Sequence, residues 1–189
     1  KYSRRVGDID PTVLAEDAAE KSVKSVNPVK ISAGEYEVVL SPLAVGTICG
    51  NLAYIGFSAR PFQEGRSFVK YHLNKQVFDE KLNLKDDARD PRTLYALPVD
   101  GEGVPKKTLH LIKNGVVSEE SICYDSFMAG RENKKSTGHS LLPLVMMYYD
   151  SPLPFNMIVE PGESNLEEMI NETKMGIFVT FLHYVMPVE

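Results

Sequence analysis

The sequence predicts an α+β fold: a β-rich, mixed or antiparallel sheet, a buried helix after its first strand, and further helices at the periphery. Two apolar runs flank Asn114–Gly115, which indicates a β-hairpin because both central residues of a type I′ turn need positive φ. A strand-type run, residues 36–40, leads directly into Ser41–Pro42. A serine followed by proline is typical of a helix start.

The first element is an amphipathic helix that begins at Asp10–Pro11. The aspartate can accept from the first free amides, and proline fits the first helical position. Apolar residues then recur at helical spacing through Val26. Asn27–Pro28 ends the helix, because the residue before proline disfavours the α region. We interpret this segment as a packing helix between domains.

A second helix is predicted from Pro42 to about Ser58, directly after the first strand. It is apolar almost all round, which is typical of a helix buried on several sides. Gly46, Gly50 and Gly56 lie inside it and favour the close approach of another backbone. The alternative is that Gly50 and Asn51 line a cavity.

The middle of the chain is predicted to consist of short elements: a loop (60–65), a helix (67–73), a strand (82–85), an edge segment (94–99) and the two hairpin strands (107–112 and 116–124). The paired aspartates Asp86 and Asp87 follow the strand. Two adjacent carboxylates can bind a cation, but no third ligand stands at a recognisable spacing. We therefore interpret them as a solvated turn.

The last third is predicted to hold a helical turn (125–129), a polar loop (130–138) closed by His139, an irregular apolar stretch (141–149) and a strand (157–159). Ser164 and Glu167 form a capping-box pattern that opens a helix. We expect this helix to end at Gly176 and a final strand to span residues 177–184.

The composition is that of an ordinary globular protein, with 189 residues, 43% hydrophobic and 25% charged. The net charge of −5 gives no electrostatic reason to expect nucleic-acid binding. No apolar run is long enough to span a bilayer, and no signal peptide opens the chain, so we expect a cytoplasmic protein without membrane contact. Cys49 and Cys123 are interpreted as buried, reduced thiols.

The residues alone indicate no self-sufficient active site. The four histidines fit neither a His-Glu-x-x-His nor a Cys-x-x-Cys pattern, and the chain contains no Gly-x-Ser-x-Gly and no phosphate loop. A cysteine–histidine pair stays open, although Cys49 lies in a predicted buried helix, where a thiol is usually inert. His139 is the most interesting histidine, because it borders a polar, glycine-flanked loop.

Several stretches, in this order, resemble the TldD/PmbA family of metallopeptidases. They are residues 34–45, 82–87, 100–105 with 112–116, 136–138, 156–162 and 164–170. Each motif is short, and their order and spacing carry the resemblance. The resemblance implies that residues 1–33 are the helical tail of a preceding domain. It implies that residues 34–189 form the C-terminal domain of the family, and we expect this domain to be incomplete at its C-terminal end.

The chain departs from the catalytic members of the family at one motif. In TldD-type subunits, the helix after the Ser-Pro entry carries a His-Glu-x-x-x-His motif that holds zinc. Here Gly50, Asn51 and Ile55 stand at the three positions. These side chains cannot hold a first-row metal, and no general base remains. Residues 48–53 are similar to the TldE/PmbA version of the helix.

The resemblance therefore implies a non-catalytic, TldE/PmbA-like subunit that degrades or matures peptides together with a TldD-type metallopeptidase. It implies no cofactor in this chain and zinc in a TldD-type partner. The expected partners are a TldD-like subunit or a second copy, and an extended peptide paired through its main chain. The residues expected at the peptide channel are Gly50, Asn51, Gly103, Thr137, Gly138 and His139.

Two other functions stay open at this point. The protein is a self-sufficient metallopeptidase if residues outside this chain supply the metal ligands. It is a peptide-binding module if it carries out no proteolysis.

Overall fold

The computed structural model describes residue 3 and residues 5–186 of the protein. These residues divide into two compact units, one within residues 1–36 and one within residues 37–189. The helices are α1 (Pro11–Lys24), α2 (Pro42–Ile55), α3 (Ala59–Gln63), α4 (Phe68–Tyr71), α5 (Ser126–Gly130) and α6 (Leu166–Glu172). The strands are β1 (Glu37–Leu40), β2 (Lys75–Gln76), β3 (Leu84–Asp86), β4 (Leu109–Ile112), β5 (Val116–Val117), β6 (Met157–Val159) and β7 (Gly176–Val179). The predicted α+β class is confirmed.

The first unit is built around α1. The Asp10 side chain accepts a hydrogen bond from the Thr12 amide at 2.8 Å, and Pro11 occupies the first helical position. This is the predicted start. The helix ends at Lys24, two residues before the predicted end, and no residue of the helix is buried within its unit.

The second unit contains three small sheets in the part of the chain that the structure describes. β1 pairs in parallel with β7, β2 pairs antiparallel with β5, and a three-stranded antiparallel sheet has the order β4-β3-β6. β3 is the central strand of the last sheet, so β6 pairs on one side only. Both pairing types occur, as the prediction of a mixed or antiparallel sheet requires.

The predicted turn at Asn114–Gly115 is confirmed, but the predicted pairing of its two strands is wrong. Among the described residues, β4 pairs with β3, β5 pairs with β2, and the chain on the two sides of the turn is bridged only at Lys113 and Val116. Asn114 and Gly115 have φ of 49° and 73°, as a type I′ turn demands. A side chain at Gly115 would collide with the main-chain carbonyl of Phe78. The strand after the turn is much shorter than predicted, because the chain turns at Val117 into a 3₁₀ helix, Glu119–Ser121.

The core lies between the three-stranded sheet and the short helices that follow α2. Phe57 is fully buried and packs edge-to-face on Phe68 at 6.0 Å between ring centroids. The same cluster includes side chains from both sides of the Asn114–Gly115 turn, namely Leu111, Ile112 and Val117. Burial of these side chains supplies the main driving force for folding.

The α2 helix differs from its prediction in burial. Ser41 caps it, with the side chain accepting from the Ala44 amide at 3.3 Å, but only Ala44 and Ala53 are buried. Leu43 is 63% exposed and Tyr54 is 41% exposed. The prediction of burial on several sides is wrong for this chain, because within the described residues neighbours cover only one side of the helix.

Several other boundaries were also predicted wrongly. Residues 59–63 form a helix and not a loop, and residues 94–99 form no strand, although Val99 bridges to Pro105. Asn165 with Glu168 forms the capping box of α6, one residue after the predicted pair. The helix ends at Glu172 and the following strand at Val179, both earlier than predicted. Gly176 begins that strand and does not end the helix.

Among the described residues, no helix has both the length and the apolar character needed to cross a membrane.

Candidate functional site

Gly50 and Asn51 line a cavity of about 410 Å³ beside α2. Nothing lies within 4 Å of the position that a side chain at Gly46 or Gly50 would take. The Asn51 amide nitrogen donates to the Thr47 carbonyl at 3.0 Å. The expected close approach of another backbone at these two glycines is therefore wrong, and the alternative, a cavity beside Gly50 and Asn51, is what the structure shows. At Gly56 an added side chain would collide with the Phe68 ring, so the close neighbour there is a side chain and not another backbone.

A buried polar cluster surrounds His139 in the second unit. His139 is 1% exposed and Asp86 is fully buried. The His139 Nε2 atom lies 3.0 Å from an Asp86 carboxylate oxygen, and its Nδ1 atom lies 2.9 Å from the Thr137 hydroxyl. The other Asp86 oxygen accepts from the Asn156 amide at 2.6 Å.

Asp86 corrects the prediction of a solvated aspartate turn. It is the last residue of β3 and lies on the same face as the buried Leu84, since side chains two residues apart share a face of a strand. Asp87 is half-buried and accepts from the Thr108 hydroxyl at 3.1 Å. The alternation of Leu84 and Asp86 is the signal that could have placed Asp86 in the core.

A second carboxylate, that of Asp100, connects the Gly103 loop to the segment that carries His139. Asp100 accepts from the amides of Glu102, Val104 and Ser140, each at 2.9 Å. The bond to Ser140 joins the loop to the residue that follows His139. Gly103 itself has φ of 78° and nothing within 4 Å of the position of an added side chain. It forms the tip of the loop.

The structure thus brings four of the six expected site residues into one region. Thr137, Gly138 and His139 are consecutive, and Gly103 belongs to the loop bonded to Ser140. Gly50 and Asn51 belong to the separate α2 cavity, whose lining includes none of those four. Asp86 and His139 are buried, and their hydrogen bonds join the loops around them.

The two cysteines are free thiols with raised pKa values. Burial raises the pKa of Cys123 well above its ordinary value, and the nearby charge of Asp86 adds to this effect, while Lys106 opposes it. Burial also raises the pKa of Cys49, which is only half-buried. Neither thiol has the electropositive surroundings of a reactive cysteine.

The residues at the motif positions do not fit a zinc ion. Gly50 has no side chain, Ile55 is apolar, and the Asn51 amide is engaged with the Thr47 carbonyl. Within residue 3 and residues 5–186, no three His, Cys, Asp or Glu side chains lie together where they could hold a metal. Zinc sites need His, Cys or carboxylate ligands, and α2 offers one half-buried thiol at Cys49.

The fold and its helix after the Ser-Pro entry define a domain of a known metallopeptidase class. Residues 33–188 match the family described as the PmbA/TldA metallopeptidase C-terminal domain. This chain belongs to that family, and the resemblance deduced from the sequence motifs is confirmed.

Three similar proteins illustrate the relationship. The chain is 32% identical to an uncharacterised protein of Methanocaldococcus jannaschii over 84% of this chain and 37% of that protein. It is 30% identical to a metalloprotease PmbA homolog of Haemophilus influenzae over 69% of this chain and 28% of that protein. The crystal structure of TldE from Thermococcus kodakarensis superposes with a TM-score of 0.82 at 25% identity, over 96% of this chain and 40% of that chain. This chain therefore spans between about a quarter and two fifths of the length of these relatives.

Proposed function

We propose that this chain is part of a non-catalytic, TldE/PmbA-like subunit that completes the peptide chamber of a TldD-type metallopeptidase. One observation carries the proposal: Gly50, Asn51 and Ile55 occupy the positions where the catalytic subunits hold their metal. The likeness to TldE from Thermococcus kodakarensis supports it. In this proposal residues 34–189 form the family domain, residues 1–33 belong to a preceding domain, and the complex is cytoplasmic.

The surface around Gly50 supports a role in holding an extended peptide. A wider groove of about 1180 Å³ adjoins the α2 cavity and lies between α2, β6 and α6. Gly46, Phe155 and Met157 line both spaces. Within the described residues β6 pairs with β3 on one side and has a free edge on the other, and its Met157 and Val159 line this groove. An extended peptide can add to such an edge through main-chain hydrogen bonds.

Zinc analysis of the purified full-length protein tests the proposal. We expect far less than one zinc per chain after dialysis against a metal-free buffer, because the motif positions offer no ligands. A TldD-type homolog with an intact His-Glu-x-x-x-His motif, prepared in the same way, is the positive control. Stoichiometric, tightly held zinc in the lone full-length protein would overturn the proposal.

A matched activity measurement tests the other two functions, a self-sufficient metallopeptidase and a peptide-binding module. Peptide hydrolysis by the full-length protein alone, abolished by a chelator, would mean that residues outside this chain supply the metal. Peptide binding without hydrolysis, alone and with the TldD-type subunit, would indicate a binding module. The proposal requires hydrolysis only when the TldD-type subunit is added.

A further inference from the structure

A second, smaller cavity is lined by residues of the Gly103 loop and by Ser140, the residue that follows His139. Its volume is about 170 Å³, and we call it the Lys106 cavity. Its walls are mostly apolar, formed by Tyr95, Leu97, Val99, Leu142, Val145 and Phe155. The Tyr95 and Phe155 rings lie together with centroids 5.9 Å apart. Most of these large side chains are more than 40% exposed, so the cavity opens to the surface.

The floor of the Lys106 cavity is held together by main-chain hydrogen bonds and close main-chain packing. Asp100, Gly101 and Ser140 line it, and Asp100 and Ser140 are 7% and 9% exposed. The Asp100 carboxylate accepts three main-chain hydrogen bonds, and the Gly101 amide donates to the Ser140 carbonyl at 3.1 Å. An added side chain at Gly101 would collide with the Leu141 carbonyl. Main-chain packing therefore fixes the floor of the cavity without a ligand, which lowers the entropic cost of binding.

The lining carries one carboxylate, Asp100, and one ammonium group, Lys106. Asp100 is already engaged by three main-chain amides, so Lys106 is the charged group that is left for a ligand. Lys106 is half-buried and lines the cavity. Its ammonium group makes no hydrogen bond or ion pair with any residue that the structure describes. An ammonium beside apolar walls gains most from a ligand that brings its own carboxylate, since the surroundings screen the pair less than water does.

The volume of the cavity is close to that of a single apolar side chain. An apolar cavity of about 150 Å³ is large enough for a benzene ring, and this cavity is slightly larger. The volume therefore matches a single phenylalanine or leucine side chain. Aromatic and aliphatic groups bind such walls by losing contact with water.

We propose that the Lys106 cavity binds the C-terminal residue of a peptide, with an apolar side chain inside the cavity and the terminal carboxylate on Lys106. The choice of a peptide over a free acid rests on the proposed peptide-handling function. The site itself rests on the cavity walls and the lysine. The site is distinct from the α2 cavity and from the wider groove that adjoins it. Phe155 is the one described residue that the Lys106 cavity shares with each of these two spaces.

Binding of acetyl-Gly-Gly-Phe to the full-length protein, measured by isothermal titration calorimetry, tests the proposal. We expect the free acid to bind at least about tenfold more tightly than the C-terminal amide, as a charge-assisted contact predicts. Lys106→Met removes the charge and keeps the apolar stem, so it should bring the two affinities together. Lys107→Met, at the adjacent exposed position, should leave the ratio unchanged. Circular dichroism verifies that each variant is folded.

Further measurements separate the parts of the proposal. Val145→Trp should fill the cavity and weaken both the acid and the amide. Equal binding of acid and amide by the wild-type protein, or an unchanged ratio in Lys106→Met, would overturn the site. Binding of free 3-phenylpropanoate as tight as that of the peptide would overturn the assignment to a peptide. Zinc content is measured separately, so failure of the proposed function is distinguishable from failure here.

Discussion

Asp86 and His139 hold together four segments that are distant in the chain. Asp86 ends β3, His139 follows the polar loop, the Asn156 amide precedes β6, and Thr137 joins the pair to Tyr124. The side chains of Asp86 and His139 are inaccessible to solvent. Buried polar groups of this kind are costly when a partner is lost, so this pair determines how the loops around it are placed.

Replacing Asp86 should therefore destabilise the protein strongly. We expect Asp86→Ala to lower the free energy of unfolding by about 3 kcal/mol, because His139 and the Asn156 amide lose their acceptor without access to water. Urea unfolding followed by circular dichroism measures this change. Asp87→Ala is the matched control: its carboxylate is partly exposed, water can replace its partners, and the loss should be about 1 kcal/mol or less. Equal effects of the two substitutions would contradict the structural role of Asp86.

Tyr124 links the buried cluster to the polar loop and has a perturbed pKa. Burial, followed by the hydrogen bond to Glu132, raises its pKa to about 12. Its hydroxyl donates to a Glu132 carboxylate oxygen at 2.7 Å. The folded protein therefore favours the protonated phenol more than the unfolded chain does.

The consequence is a loss of stability at alkaline pH. A raised pKa in the folded state gives a contribution that is complete below the ordinary tyrosine pKa of about 10 and is lost as the pH rises towards 12. We expect the free energy of unfolding to fall more steeply between pH 9.5 and 11.5, values chosen around those two limits, in the wild-type protein than in Tyr124→Phe. Tyr148, which is 80% exposed, provides the control: Tyr148→Phe should keep the wild-type slope. Identical slopes for all three proteins would contradict the pKa assignment.

At the scale of elements, the start of α6 shows how a local pattern can be displaced by one residue. Both Ser164 and Asn165 can cap a helix, and a glutamate stands three residues after each. The structure uses Asn165, whose side chain accepts from the Glu168 amide at 3.0 Å, while Glu168 accepts from the Asn165 amide at 2.9 Å. The two registers differ in which residue begins the helix, and the sequence pattern fits both.

The two possible caps can be distinguished by substitution. Asn165→Ala should lower the stability of the α6 region by about 1 kcal/mol, because the first amides of the helix lose their acceptor. Ser164→Ala should have a much smaller effect, since its side chain makes no cap in this register. Native-state hydrogen exchange of the α6 amides measures both. A larger loss of protection in Ser164→Ala would show that the helix begins one residue earlier.

At the scale of the whole molecule, the chain leaves apolar groups uncovered along α2 and in the segment from Leu142 to Tyr149. Leu43, Leu144, Met147 and Tyr148 are all more than 60% exposed. Single exposed apolar residues are common on protein surfaces, but extended patches usually mark interaction sites. This chain also spans less than half of the length of its relatives.

The proposed function predicts what should cover part of this surface. We expect the tagged full-length protein to co-purify from its own cells with a TldD-type subunit that has an intact His-Glu-x-x-x-His motif, identified by mass spectrometry. Leu43→Glu should weaken this association by placing a charge in an apolar contact, while Glu172→Gln, at an exposed polar position, should not. Isolation of the protein only as copies of itself would contradict a hetero-oligomeric complex.

Much of the fold was determined by local sequence. The caps at Asp10 and Ser41, the Asn114–Gly115 turn and the strands around Val38 and Ile158 were predicted, because each depends on the chemistry of adjacent residues. The family was recognised from short motifs in order, and the residues at the metal-motif positions were visible from sequence alone.

Only the tertiary structure decided what surrounds each residue. Asp86 was predicted to be solvated because two adjacent carboxylates usually face water, yet β3 is the central strand and carries Asp86 into the core beside His139. α2 was predicted to be buried because its residues are apolar. Burial also requires neighbouring elements that cover the helix, and the sequence pattern does not show how many of these there are. The Lys106 cavity brings residues 95–106 together with residues 140–155. Contacts between segments so far apart in the chain arise from packing, and therefore local sequence cannot specify them.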